Sequence, residues 1–266
     1  MIENWEITGD THGAFSRFEN YCAIIKRNPH SAIIILGDAG FNFSLDEQDN
    51  AMKDKLTQMY AFRIYCVRGN HEARPSDIPD MHLIWDEDVN GEVWVQDKWP
   101  NIRYFKDYCI YTIAGYTCGI IGGAYSVDKW YRLEMGRRWF ANEQLTEQEQ
   151  KEALTLFKNA NLDFMFTHTC PISWEPTDLF LHGINQSKVD KTMELFLEQI
   201  KEEINFKVWC FGHYHCDRLE RPGVEQFFKS TENIHDIWQR WETYFTTGNL
   251  DWWFNKSPNF YMGVEK

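Results

Sequence analysis

The chain has 266 residues, of which 43% are hydrophobic, and its formal charge is −13 at pH 7. This length suits one large domain or two small ones, and the apolar fraction is sufficient for a sizeable core. The acidic balance argues against broad binding to duplex nucleic acid, which requires basic surface. No stretch approaches the roughly 20 apolar residues of a membrane span, and the N-terminus lacks the pattern of a signal peptide.

The cysteines are scattered and odd in number, which argues against a disulfide framework. Seven are present, at positions 22, 66, 109, 118, 170, 210 and 216. Together with the absence of a signal-peptide pattern, this spacing favours a reducing, cytoplasmic setting.

Short apolar runs alternate with helix-like stretches in the first third of the chain. Residues 5–8, 32–36 and 62–67 predict strands, and the second is a continuous β-branched run typical of a strand buried on both faces. Residues 14–26 and 45–59 predict helices between them. The resulting β-α-β-α-β order predicts a parallel α/β arrangement.

The remaining elements are predicted by the same patterns. Four further segments have the character of strands, with a turn at residues 114–115 between the first two: 108–113, 119–121, 163–167 and 207–211. Three segments predict helices: 142–159, 188–204 with Ser187 as its N-cap, and 237–245. We expect a single domain over residues 1–266, in which residues 217–266 form a C-terminal extension packed on the rest.

Candidate metal ligands directly follow five of the predicted strands. The segments are Gly9-Asp10-Thr11-His12, Gly37-Asp38, Arg68-Gly69-Asn70-His71-Glu72, His168 and Gly212-His213-Tyr214-His215. Because ligands of open α/β sheets bind at the carboxyl ends of strands, we expect these side chains to converge in one crevice. Carboxylate and amide oxygens suit manganese and magnesium, whereas imidazole suits zinc, iron and nickel. Each motif alone is a weak signal, although Gly-Asn-His-Glu is rarer than the others, and their joint placement after five apolar runs predicts a metal site.

This series of motifs resembles the calcineurin-like metallophosphoesterase family, whose signature is Asp-x-His, Gly-Asp, Gly-Asn-His-Asp/Glu, an isolated His, and Gly-His-x-His. The resemblance spans roughly residues 5 to 216. It implies an α/β fold of the four-layer α+β sandwich type, with two mixed β-sheets flanked by helices. It also implies a phosphomonoesterase or phosphodiesterase that uses two divalent metal ions and a bridging hydroxide as nucleophile.

The family's residue roles can be transferred position by position. One metal would be held by Asp10, His12, Asp38 and His215, and the other by Asp38, Asn70, His168 and His213, so that Asp38 bridges them. The resemblance makes His71 the candidate general acid, and Glu72 would orient His71 or support its loop. Manganese is the first choice of metal, and iron, zinc and nickel are alternatives.

One departure from the family bears on the substrate. Protein Ser/Thr phosphatases follow Gly-Asp with a segment ending in Asp-Arg-Gly, whose arginine grips the phosphate, but residues 39–43 are Ala-Gly-Phe-Asn-Phe. We therefore expect a phosphorylated small-molecule or nucleotide substrate and no membrane partner. The alternatives are a protein-phosphatase-like enzyme and a non-catalytic binding scaffold. A lactamase-like hydrolase is disfavoured because its His-x-His-x-Asp-His cluster is absent.

Several residues outside the motifs leave alternatives open. Lys129 and Arg132 could meet phosphate oxygens, although solvated charges at the start of a surface helix are the favoured interpretation. Arg74 could reach the cleft. His182 is expected to cap or to face solvent instead of lining the site, and Cys170 is not expected to be a ligand. The aromatic segment 250–254 is expected to pack on the core.

Overall fold

Two mixed β-sheets form the framework of the protein in a computed structural model that describes residues 1–15, 18, 28–180 and 183–250. The strands of the first sheet are β1 (Asn4–Thr8), β2 (Ser31–Ile35), β3 (Arg63–Cys66), β4 (Met81–Asp86), β5 (Gly91–Gln96), β6 (Ile102–Tyr104) and β13 (Thr231–Asn233). Those of the second are β7 (Tyr108–Ile113), β8 (Tyr116–Ile121), β9 (Asn161–Thr167), β10 (Asn205–Phe211), β11 (Arg218–Arg221) and β12 (Val224–Gln226).

Each sheet has a parallel centre and antiparallel edges. The order of the first sheet is β13-β1-β2-β3-β6-β5-β4, and its neighbours from β1 to β6 pair in parallel. The order of the second is β11-β12-β10-β9-β8-β7, with parallel pairing from β12 to β8. The parallel centres align the carboxyl ends of strands that are distant in the chain, as the sequence predicts.

Four of the described helices lie in connections between strands, and the fifth follows β13, the last described strand. They are α1 (Glu47–Met59), α2 (Lys129–Glu134), α3 (Glu147–Phe157), α4 (Thr192–Glu203) and α5 (Ile234–Thr247). Together with the two mixed sheets, these helices confirm the predicted α/β fold class. None of the described helices combines the length and the apolar character that crossing a membrane would require.

The main core lies between the two sheets. Alternate residues of β2 point in opposite directions, so that Ile34 joins Phe164 and Val208 of the second sheet in one buried cluster. Ile33 and Leu56 belong to a second cluster, between the first sheet and α1. Burial on both faces explains the unbroken apolar run of β2.

Local capping groups set two helix starts later than the sequence patterns predict. Instead of beginning at residue 142, α3 begins after Thr146, whose side chain forms a capping box with Glu149. Ser187 is not the N-cap of α4, because residues 186–188 form a separate 3₁₀ turn. The carboxylate of Asp190 accepts hydrogen bonds from the backbone and hydroxyl of Thr192, which stops the helix from extending backwards.

The sequence patterns missed six strands, β4 to β6 and β11 to β13. β4 and β5 mix exposed with buried residues without regular alternation, and β6 has only three residues. The last three lie where the periodicity is poor, yet β11 and β12 extend the second sheet and β13 extends the first. The predicted helix over residues 237–245 is present within the longer α5. The predictions for residues 14–26 and 250–254 fall largely outside the described residues.

A buried ion cluster attaches α5 to both sheets. The guanidinium of Arg240 donates to the carboxylate of Glu225 on β12, at 3.0 and 2.8 Å, and also pairs with Glu232 on β13. Burial raises the pKa of both acids, and the adjacent carboxylate of Glu225 helps to raise that of Glu232 to about 7. Arg240 opposes both shifts, and it therefore holds two carboxylates that would be unstable as isolated buried charges.

We expect Arg240→Ala to lower the free energy of unfolding by about 3–5 kcal/mol, because it leaves buried carboxylates without their cation. Urea denaturation at neutral pH measures the change. Arg138→Ala, at an exposed arginine, is the matched control and should stay within about 0.5 kcal/mol of the unsubstituted protein. Equal losses in the two variants would contradict the role of the cluster.

Candidate metal centre

The loops after β1, β2, β3, β9 and β10 bring the seven predicted ligands together. They are Asp10 and His12, Asp38, Asn70, His168, and His213 and His215. Asp10, Asp38 and His168 are buried, whereas the side chains of His12 and His215 keep 34% and 49% of their area exposed. The site therefore has a buried floor and an open mouth.

One group of ligands surrounds the carboxylate of Asp10. The Nε2 atoms of His12 and His215 are 2.9 Å apart. Oδ2 of Asp10 lies 3.2 Å from Nε2 of His215 and 3.7 Å from Nε2 of His12. These atoms are close enough to share one cation.

A second group surrounds the imidazole of His168. Its Nε2 lies 2.8 Å from Oδ1 of Asn70 and 3.6 Å from Oδ2 of Asp38. The rings of His168 and His213 meet edge to face, with centroids 4.9 Å apart. Oδ2 of Asp38 is also 4.0 Å from Nε2 of His12, in the first group. Asp38 thus lies between the two groups.

Backbone amides orient the two carboxylates. Oδ1 of Asp38 accepts from the backbone N–H of His71 at 2.8 Å, and Oδ1 of Asp10 accepts from that of His213 at 2.9 Å. In each case the other oxygen, Oδ2, is left facing the imidazoles. Such second contacts fix the direction of metal-binding side chains.

The backbone is strained where these ligands are attached. His12, Asp38, His213 and His215 have positive φ angles of 45°, 46°, 71° and 53°. A residue with a Cβ adopts this left-handed conformation at a cost of roughly 1 kcal/mol or more. Four strained residues in one place indicate that the surrounding fold imposes these conformations.

Glycines allow the ligands to approach one another. A Cβ on Gly69 would lie 2.0 Å from Oδ1 of Asp38, and one on Gly37 would lie 2.0 Å from Nδ1 of His168. Of these two, only Gly37 also has a positive φ, of 100°. The glycines before the ligands therefore leave space for neighbouring ligand side chains, beyond allowing a turn.

The donor set fits a cation. Nδ1 of His168 lies 2.8 Å from the carbonyl oxygen of Leu36, which can only accept, so Nδ1 carries the hydrogen and Nε2 of the neutral ring is a bare acceptor. The amide nitrogen of Asn70 donates to Ser126, which leaves Oδ1 of Asn70 facing that same Nε2. Three acceptors, Asn70 Oδ1, Asp38 Oδ2 and His168 Nε2, thus face each other. The lone pairs of these three atoms repel one another, and a proton or a metal ion between them would remove that repulsion.

The pKa values of His168 and Asp38 also indicate that positive charge is favoured at this place. Burial by itself would lower the pKa of His168, but the carboxylates of Asp38 and Asp10 raise it to about 9. Burial would raise the pKa of Asp38, but the neighbouring imidazoles, His168 foremost, hold it well below its usual range. Burial and the charge of His168 lower the pKa of His213 to about 3, which keeps its ring neutral.

His71, the candidate general acid, lies beside the ligands at the mouth of the site. Its ring meets that of His12 edge to face with centroids 5.4 Å apart, and stacks on Phe43. Its Nε2 is 4.0 Å from a carboxylate oxygen of Asp128. Burial, aided by the positive charge of Arg132, lowers the pKa of His71.

Glu72 supports the loops that carry the ligands. Its carboxylate accepts from the backbone N–H groups of Gly40 and Gly69, at 2.9 and 3.3 Å, and from the hydroxyl of Tyr104 at 2.9 Å. Burial and the nearby Asp38 raise its pKa to about 7. Of the two roles expected for Glu72, these contacts favour loop support.

The structure corrects the interpretation of one basic side chain. Arg132 is buried, not solvated, and its guanidinium packs over the ring of Phe43. Lys129 lies over the ring of Trp139, and Arg74 forms ion pairs with Asp107 and Glu149. The guanidinium of Arg74 is thus already paired with carboxylates of the protein itself.

Two further side chains do not join the ligands. Cys170 is absent from the groups of candidate ligands found in the described part of the chain, and burial raises the pKa of its thiol well above the usual value. A thiol is a poor ligand in that form. The prediction for His182 lies outside the described residues.

The sequence did not reveal the group that orients Asn70. Oγ of Ser126 accepts from the amide nitrogen of Asn70 at 2.8 Å and donates to Oε2 of Glu143 at 2.5 Å. Trp139 and the backbone N–H of Ser126 also donate to Glu143. A local sequence pattern could not have revealed this contact, because it joins residues 56 positions apart.

We expect Ser126→Ala to weaken metal binding about 10- to 100-fold at the position that Asn70 serves, because the amide loses the partner that aims its oxygen at the site. Titration of the purified protein with metal, monitored by calorimetry, measures the affinity for the metal. Ser76→Ala, at an exposed serine whose hydroxyl donates to the neighbouring Asp77, is the control. Unchanged affinity in Ser126→Ala would contradict this role.

Comparison with known proteins agrees with the geometry. The sequence model of the calcineurin-like phosphoesterase family matches residues 7–217, which is most of the chain. No curated protein sequence matches significantly.

Several solved structures are distantly similar to this one. Phosphopantetheinyl hydrolase (PptH) from Mycobacterium tuberculosis is 11% identical over 94% of each chain, with a TM-score of 0.43. TT1561 from Thermus thermophilus is 11% identical, over 88% of this chain and 98% of its own, with a TM-score of 0.42. A 5'-nucleotidase precursor from the same organism is 15% identical, over 83% of this chain and 43% of its own, with a TM-score of 0.39. On the strength of the family match, which confirms the resemblance seen in the motifs, this chain belongs to the calcineurin-like phosphoesterase family.

Proposed function

We propose that this protein is a phosphoester hydrolase with a dinuclear metal site, acting on a phosphorylated small molecule or nucleotide. The observation that best supports two metals is the position of Asp38. One of its oxygens lies 4.0 Å from His12 in the first ligand group and 3.6 Å from His168 in the second. A carboxylate placed in this way can bridge two cations.

The ligands divide between two metal positions. We assign Asp10, His12, Asp38 and His215 to one, and Asp38, Asn70, His168 and His213 to the other. Manganese is the first choice because oxygen and imidazole donors are mixed, and iron, zinc and nickel suit the same donors. When bound, such ions would polarise the phosphoryl group and make water a better nucleophile.

The protein's own residues would complete the site. His71 borders the same cavity as Asp38 and Asn70 and can hold or give a proton at its Nε2, where Asp128 lies 4.0 Å away. We therefore propose His71 as the general acid for the leaving oxygen. Glu72 supports the loops that carry Asp38 and Asn70, through the N–H groups of Gly40 and Gly69.

Two alternatives have less support. A non-catalytic scaffold is disfavoured because all seven ligands are present and converge. A protein-phosphatase-like activity is disfavoured because the arginine expected after Asp38 is absent from the sequence. We also infer one domain, since the segment after residue 217 adds strands to both sheets, and the scattered cysteines support a cytoplasmic setting.

We expect the manganese-loaded protein to hydrolyse p-nitrophenyl phosphate, bis(p-nitrophenyl) phosphate or both. Asp38→Asn should lower kcat/KM about 1,000-fold or more and remove bound metal, since both metal positions lose a charged ligand. Elemental analysis of the purified variants measures the metal content separately from turnover.

The matched control is Asp97→Asn, at a carboxylate whose side chain is 94% exposed. It should keep full activity and full metal content. Absence of hydrolysis with every divalent metal tried would refute the enzymatic proposal, and full metal content in Asp38→Asn would refute the bridging role.

A further inference from the structure

A cavity of about 570 Å³ opens beside the ligands. Asp38, Asn70, His71, His213 and His215 border it on the side of the metal site. This volume is in the range of small-molecule sites. A substrate whose phosphate lies at the ligands would therefore place its organic group in this cavity.

Glu194, on α4, provides an unsatisfied polar group at the cavity wall. It borders the cavity and is only 3% exposed. Its Oε1 accepts from the hydroxyl of Thr169 at 2.8 Å, whereas its Oε2 has no hydrogen-bond partner among the described residues. A buried carboxylate oxygen without a donor is costly unless a ligand supplies one.

The wall that contains Glu194 is continuous with the metal site. Thr169 directly follows the ligand His168, and Tyr214 lies between the ligands His213 and His215. The hydroxyls of Thr169 and Tyr214 are 3.1 Å apart. Glu194 is therefore hydrogen-bonded to Thr169, which directly follows the candidate ligand His168 in the sequence.

The charges around the cavity favour a cationic group. Four acidic residues besides Asp38 border it: Asp128, Glu175, Asp190 and Glu194. Lys191 is the only lysine or arginine among the described residues that border it, and its ammonium is paired with Glu175 at 2.5 Å. A second anionic group on the substrate would meet these carboxylates, so the wall selects against it.

The rest of the lining is largely apolar. Its apolar and aromatic side chains include Tyr125, Val127, Leu179, Phe180, Ile184 and Val189. Apolar and aromatic side chains with a few polar groups are the usual lining of a small-molecule site. Here they would cover an aromatic or aliphatic group.

We infer that the cavity binds the organic group of the substrate, and that this group is an apolar body carrying an ammonium that Glu194 receives. This inference rests on the proposed function only in assuming that the phosphate lies at the ligand cluster. Because Glu194 also accepts from Thr169, a purely structural role for its carboxylate must be separated from ligand binding.

Binding of phosphonates that cannot be hydrolysed tests the inference independently of turnover. The probes are 4-(aminomethyl)benzylphosphonate, its hydroxymethyl analogue and its carboxylate analogue, titrated by calorimetry into manganese-loaded and metal-free protein. We expect the amine to bind about 10-fold or more tightly than the alcohol, and the carboxylate to bind most weakly.

Glu194→Gln keeps an oxygen that can accept from Thr169 but removes the charge. We expect it to weaken binding of the amine about 10- to 100-fold and to leave that of the alcohol within about 3-fold. Glu202→Gln, at an exposed position of the same helix, should change neither.

Three results would overturn the inference: equal binding of the three probes, an equal effect of Glu194→Gln on all of them, or no binding of any probe in either metal state. A failure of the proposed function has a different signature. If the protein binds the amine most tightly but hydrolyses no phosphoester, the proposed function is refuted and the inference stands. If it hydrolyses phosphoesters but does not prefer the amine, only the inference is refuted.

Discussion

Oδ2 of Asp38 faces imidazole nitrogens on two sides, and the whole centre is arranged around this contact. The backbone N–H of His71 holds the other oxygen, so the carboxylate cannot turn away. On the side of His168, three acceptor atoms face one another. Candidate ligands lie on both sides of Asp38, and this arrangement is the reason for proposing two cations.

Keeping so many acceptors together requires support from the fold. Asp38 and three of the histidine ligands have left-handed backbone conformations, and Gly37, Gly69 and Gly212 leave room where a Cβ would strike a ligand side chain. The loops are in turn braced by Glu72, which links Gly40, Gly69 and Tyr104. The parallel centres of the two sheets supply the rigid base, because they place the ends of β1, β2, β3, β9 and β10 next to one another.

The electrostatics of the chain differ between the site and its surroundings. The overall charge is −13, and the cavity wall adds further carboxylates close to the ligands. Bound cations would reverse the sign locally, so that a phosphate would be attracted to the proposed ligand cluster while the cavity beside it remains negative. In this arrangement specificity would depend on the charge of the organic group as much as on the phosphate.

Local patterns in the sequence by themselves predicted the α/β class and the candidate ligand cluster, whereas the two-sheet architecture was implied by the family resemblance. Apolar runs mark β2 and the other central strands, and each ligand motif lies within a few residues of a strand end. Apart from Glu72, for which the resemblance implied a supporting role, tertiary structure decided which side chains support that cluster. Ser126 meets Asn70 across 56 positions and Glu194 meets Thr169 across 25, and neither contact leaves a periodic trace in the chain. The places of the partly exposed strands β4 to β6 are likewise set by the neighbouring strands with which they pair.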